Sequence, residues 1–96
     1  MFDNLRYDFN AIADIEERAG QGVGSLFAEE KMGLNTIRLL VWGGMRHIKK
    51  GWSVEAAGLE IQTYLLQGGT IQELTEKIAA AVEKSGLFGN FTQAEG

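Results

Sequence analysis

No cysteine and no proline occur in the 96 residues of this chain, and there is one histidine. Without cysteine there are no disulfides, no thiolate metal sites and no cysteine nucleophile. Without proline, helices have to be ended by other residues, and the 13 glycines are the obvious candidates. Basic residues are outnumbered, nine against 13 acidic, for a net charge of −4. That balance argues against nucleic acid, which demands concentrated Lys and Arg against phosphate. The longest apolar run, Leu39 to Met45, falls far short of the ~20 residues of a membrane span. The first residues, MFDNLRYDF, lack the basic and apolar regions of a signal peptide. These absences predict a soluble, intracellular chain. Apolar residues at 45% and charged residues at 23% are ordinary for a globular protein, and the length suits a single core.

The stretch Asn35 to Gly51, NTIRLLVWGGMRHIKKG, dominates the pattern. From Ile37 to Met45 its only charge is Arg38. A helix without a polar face is normally buried by its neighbours. Gly43 and Gly44 disfavour helix by about 1 kcal/mol each relative to Ala, yet permit close approach of another element. This stretch is therefore expected to be a central packing helix, with Asn35 as its cap.

Before it, Leu5, Tyr7 and Phe9 alternate with Arg6 and Asp8, a short strand-like pattern. Asn10 is then expected to cap a helix running through Arg18, with Ile12, Ile15 and Ala19 on one face. Gly20 fits a left-handed C-cap. Val23, Leu26 and Phe27 predict a short second helix to about Lys31, ended by Gly33.

After it, Gly51 breaks the chain and Ser53 is the expected N-cap of a fourth helix, with Glu55 in its first turn. Val54, Ala57, Gly58, Ile61 and Leu65 recur at helical spacing. Leu59 and Leu66 widen that stripe, which predicts cover on more than one side. Gly68 and Gly69 end the helix. Thr70 and Glu73 form a capping box for a clean amphipathic helix with Ile71, Leu74, Ile78, Ala81 and Val82 inward, closed by Gly86. Leu87 and Phe88 are expected to dock before a fraying end. The fold expected is mainly α, a small single-domain helical bundle of about five helices with room for one short N-terminal strand. Residues 1–8 and 87–96 are expected to be flexible or loosely docked.

No residue set for chemistry emerges. His47, near a helix end with Arg46, Lys49 and Lys50, suits the helix dipole better than a metal or a proton relay, since it has no partner in sequence. Asp14, Glu16 and Glu17 read as a solvated helix face, and the Glu-x-x-His pair of a di-iron bundle is absent. The run Gly20 to Gly24 lacks the spacing and the Lys-Ser/Thr ending of a phosphate loop. Ser25, Ser53 and Ser85 have no recognisable base. Trp42 reads as core, with Arg38 one turn earlier placed to lie over its ring. Trp52 is either a packing lid or an exposed contact. No enzyme, cofactor or metal is expected. The residues expected to meet a partner are Trp52, Phe91, Arg46, Lys49 and Lys50, while Phe27 and Phe88 read as ordinary packing.

The run Phe9 to Phe27 resembles the first helix of the tail assembly chaperones of long-tailed bacteriophages and gene transfer agents. Ile15, Glu16 and Gly20 match that family's Ile/Leu-Glu-x-x-x-Gly signature. Thr36 to Ile61 resembles its second block, on Leu39, Trp42, Gly44, Met45, His47, Ser53, Glu55 and Ala57, and Gly69 to Lys84 its closing helix. The resemblance covers about nine-tenths of the chain, and the order of the motifs carries it. It implies a non-catalytic protein of the bacterial host cytoplasm that binds the tape measure protein, keeps its apolar helices soluble and helps tail tube protein polymerise around it. It also implies self-association and departure before the virion is complete. Many family members have a further N-terminal strand that makes a hairpin. Here the segment matching Leu5 to Phe9 starts a few residues after Met1, which implies a missing hairpin or another pairing. The alternative is a small helical protein-interaction or regulatory module unrelated to tails.

Overall fold

The computed structural model describes residues 2–28 and 33–87. Five helices follow in order: α1 (Phe9–Ala19), α2 (Val23–Ala28), α3 (Leu34–Met45), α4 (Val54–Leu66) and α5 (Ile71–Ser85). The protein is thus mainly α, and no β-strand forms among the described residues.

α3 is the hub, packed against α1, α4 and α5. Ile37 and every residue from Leu39 to Met45 are buried. The glycine pair explains how so much fits around one helix. An added Cβ at Gly43 would lie 2.4 Å from Cδ1 of Ile15 on α1, and one at Gly44 would lie 2.7 Å from Leu5 and 2.8 Å from the Tyr7 ring. The missing side chains are the seats of Ile15 on one side and of the N-terminal arm on the other. α3 is shorter than the sequence suggests. It starts after Gly33, which makes no side-chain cap bond, so Asn35 lies in the first turn. It ends at Met45, whose carbonyl accepts from the amides of Ile48 and Lys49. Turns then lead to Gly51, held at φ 75°.

The arm, residues 2–8, replaces the expected strand. Its alternation is real, since Tyr7 is buried while Arg6 and Asp8 are exposed. The surface that it meets is a helix. The Arg6 amide donates to the Gly44 carbonyl at 2.8 Å, and the Tyr7 hydroxyl donates to the Leu40 carbonyl at 2.6 Å. Phe2 is buried and meets Tyr64 edge-on at 5.3 Å, while Asp3 pairs with Lys77 of α5. Within this segment Phe2 and Tyr7 belong to the core and Leu5 packs against it, while Asp3, Asn4, Arg6 and Asp8 are exposed. Phe2 has φ 63°, a left-handed conformation uncommon for so bulky a residue.

Local signals set the helix ends. Asp8, not Asn10, caps α1, its carboxylate accepting from the Ala11 amide at 2.8 Å. The helix begins at Phe9, which is 74% exposed, so apolar periodicity starts too late to mark it. Gly20 and Gly86 adopt the left-handed C-cap conformation. Ser53 caps α4, and Thr70 with Glu73 completes a capping box on α5. Glu73 also accepts from the Tyr64 hydroxyl at 3.1 Å, tying α4 to the start of α5.

Candidate functional site

Of the residues expected to meet a partner, Arg46, Lys49, Lys50 and Trp52 lie at the turn between α3 and α4, and all but Lys50 are engaged with other residues of the chain. Trp42 and Trp52 form a reciprocal clasp. The Trp42 indole donates to the Trp52 carbonyl at 3.0 Å, and the Trp52 indole donates to the Trp42 carbonyl at 3.1 Å. Trp52 is half-buried and packs on the core, which is the lid arrangement. The guanidiniums of Arg18 and Arg46 lie 4.6 and 5.3 Å from the centre of the Trp42 ring, and the Lys49 ammonium lies 5.9 Å from that of Trp52. Arg46 pairs with Asp14, and Lys49 with Glu60 at 3.0 Å. Lys50 and His47 are exposed. With Arg46 they border a shallow depression of about 470 Å³ that Trp52 and Lys49 do not line. Phe88 and Phe91 lie outside the described residues.

Arg38 is not over Trp42. Its stem crosses Gly58 of α4, where a Cβ would sit 3.2 Å from Cδ, and its Nη2 donates to Asn35 at 2.7 Å. Two other guanidiniums hold the Trp42 ring, and the Arg38 stem uses the space that the missing side chain of Gly58 leaves. Its Nε is buried and has no hydrogen-bond partner among the described residues.

Arg38 borders the feature that sequence reading misjudged, an apolar groove of about 380 Å³ between α3, α4 and the start of α5. Leu34 and Ile37 form one wall, Ile61, Leu65 and Leu66 the other, and Ile71 closes one end. Leu34 and Leu66 are 72% and 79% exposed. Leu59, on the same helix as Leu66, is 64% exposed, so the wide stripe of α4 is uncovered rather than doubly covered. Its width was the available signal: a single small core cannot use that many leucines on one helix. A second depression, about 640 Å³, runs along the arm, and its lining mixes polar groups, Asp3, Arg6, Asp8, His47 and Lys84 among them, with apolar ones such as Leu5, Phe9 and Ile48.

Among the described residues no group of three or more His, Asp or Glu side chains is placed to hold a metal. Burial pushes the Tyr7 hydroxyl far above its ordinary range, so it stays protonated as the donor to Leu40. Asp3 is held below the usual carboxylate value, first by its hydrogen bond with Lys77. No helix among the described residues is long and apolar enough to cross a membrane. Comparison with protein-family models, curated proteins and solved structures found no match.

Proposed function

We propose that this chain is a non-catalytic tail assembly chaperone, of the kind found in long-tailed phages and gene transfer agents, that holds apolar helices of a tape measure protein. The observation that carries the reading is the groove between α3 and α4. Leu34, Leu65 and Leu66 stay exposed along it, and an apolar concavity is the kind of surface that suits a ligand. Its walls are two helices, a surface suited to a third helix laid along it.

The residues that carry the family resemblance support the reading as scaffold rather than as contact surface. Ile15 fills the space at Gly43, Gly20 is the C-cap of α1, and Leu39, Trp42, Gly44 and Met45 are buried in α3. Ser53 caps α4 and Ala57 is buried beneath it. On this reading the protein acts in the host cytoplasm, protects the tape measure protein until tail tube protein surrounds it, and then leaves.

Co-expression with a tape measure protein from the same genome tests the proposal. The expected result is a larger soluble fraction of the tape measure protein and a complex that survives purification. Unchanged solubility with no recoverable complex refutes it.

A further inference from the structure

We propose that the α3–α4 groove recognises an apolar helix carrying a single carboxylate that pairs with Arg38; this rests on the reading of the chain as a holder of apolar helices. Among the described residues Arg38 is the only charged one lining the groove, and no acidic side chain lines it. Among the described residues Arg38 has no ion-pair partner. Its one hydrogen bond, to Asn35, is exposed, and its Nε is buried and unsatisfied.

A guanidinium on an apolar wall without an anion is an incomplete arrangement, because a desolvated donor costs free energy until it is paired. Arg46 and Lys49, which lie by the tryptophan rings, pair with Asp14 and Glu60. A carboxylate entering above Gly58 reaches the Nη hydrogens directly. By drawing the fork outward it also frees the Nε–H to bond. The planar guanidinium then offers the bidentate geometry that carboxylates match best.

The groove also limits the rest of the occupant. Gly58 to Leu66 spans about 12 Å, so a helix of two to three turns covers it. Leucine-type residues spaced three and four apart would meet Leu34, Ile61, Leu65 and Leu66. Because the whole chain carries −4, a strongly acidic partner is repelled at long range. The fitting ligand is an apolar stripe with one acid at the end that meets Gly58 and a neutral or basic outer face.

The test uses the full chain and three fluorescently labelled synthetic helices that share one leucine stripe and carry Glu, Gln or Lys at the end of it that would meet Arg38. Fluorescence anisotropy should show the Glu peptide binding about 10- to 100-fold more tightly than the Gln peptide, the range for a charge-assisted hydrogen bond, and the Lys peptide weakest. Arg38→Met keeps the stem over Gly58 and should erase the Glu preference. Leu66→Asp, at an exposed position, should weaken all three peptides without unfolding the protein. Equal binding of Glu and Gln peptides overturns the inference, as does a Glu preference that survives Arg38→Met. So does a homodimer in light scattering that Leu66→Asp dissociates while no peptide binds, since the groove would then belong to a second copy. If a tape measure complex forms equally well with Arg38→Met and Leu66→Asp, the groove assignment fails and the chaperone reading stands. If no such complex forms but the peptides behave as described, the groove assignment stands and the chaperone reading fails.

Discussion

Replacing Gly43 by Ala sets two known effects against each other, and the structure decides the sign. In an exposed helix the change would stabilise by about 1 kcal/mol, from backbone entropy and helix propensity. At Gly43 the new methyl would lie 2.4 Å from Cδ1 and 2.6 Å from Cγ1 of Ile15, with the Ala11 carbonyl 3.7 Å away. Ile15 has no exposed surface and, being β-branched, little freedom to turn aside. Either Ile15 leaves its rotamer or α1 moves off α3. Overpacking of this kind costs about 1–3 kcal/mol, so after the gain the net expectation is a loss of up to about 2 kcal/mol, with the melting temperature falling by about 4–8 °C for each kcal/mol lost. Urea denaturation followed by circular dichroism measures it, with the slope checked for a constant denatured state. A double-mutant cycle isolates the cause. Ile15→Ala alone should cost about 2–5 kcal/mol, but adding Gly43→Ala to that background should be neutral or stabilising. A stabilising Gly43→Ala in the otherwise unchanged protein would refute the reasoning, since it would mean that α1 does not sit in the notch.

Other expectations follow from the arm and the clasp. Tyr7→Phe removes the donor to the Leu40 carbonyl and keeps the ring against Gly44; it should cost about 1 kcal/mol in the same denaturation assay, and an unchanged midpoint would mean that the bond contributes nothing. The Asp3–Lys77 pair lowers the folded-state pKa of Asp3, so its contribution is present above the ordinary carboxylate value of 3.8 and is lost as pH falls through the depressed folded value. Asp3→Asn should therefore narrow the stability difference between pH 6 and pH 3, and identical pH profiles would count against the pair. Trp52→Ala should lower the melting temperature, because it removes the indole donor to Trp42 and the ring beside Lys49. If instead the melting temperature holds and tape measure binding drops, Trp52 is a contact residue and not a lid.

Much of the fold was legible because its signals are local. The capping box at Thr70 and Glu73, the C-cap glycines Gly20 and Gly86, and the stripe of α5 need only neighbouring residues to act. The buried character of α3 was legible from the absence of a polar face. What escaped depends on partners distant in sequence. Leu5 and Tyr7 alternate as a strand would, but the surface they meet was made by Gly44, about 40 residues on, in a helix. Arg38 had two aromatic or apolar beds within reach, and only the packing of α4 shows that Gly58 is the one its stem crosses. The groove was misjudged for a related reason. Periodicity reports how many apolar residues share a face of α4, and it does not report whether another helix arrives to cover Leu59 and Leu66.

The tryptophan clasp has a practical consequence for anyone who follows this protein by light. Both indoles of the chain are in it, so intrinsic emission samples the junction between α3 and α4 and nothing else. A shift in wavelength during a titration would mean that the junction has opened. A helix seated against Leu34 and Leu66 in a bundle that stays rigid would leave the spectrum untouched, so silence in that channel carries no information about occupancy. Unfolding, by contrast, has to break the clasp, which makes the same signal a faithful clock for loss of the central helix.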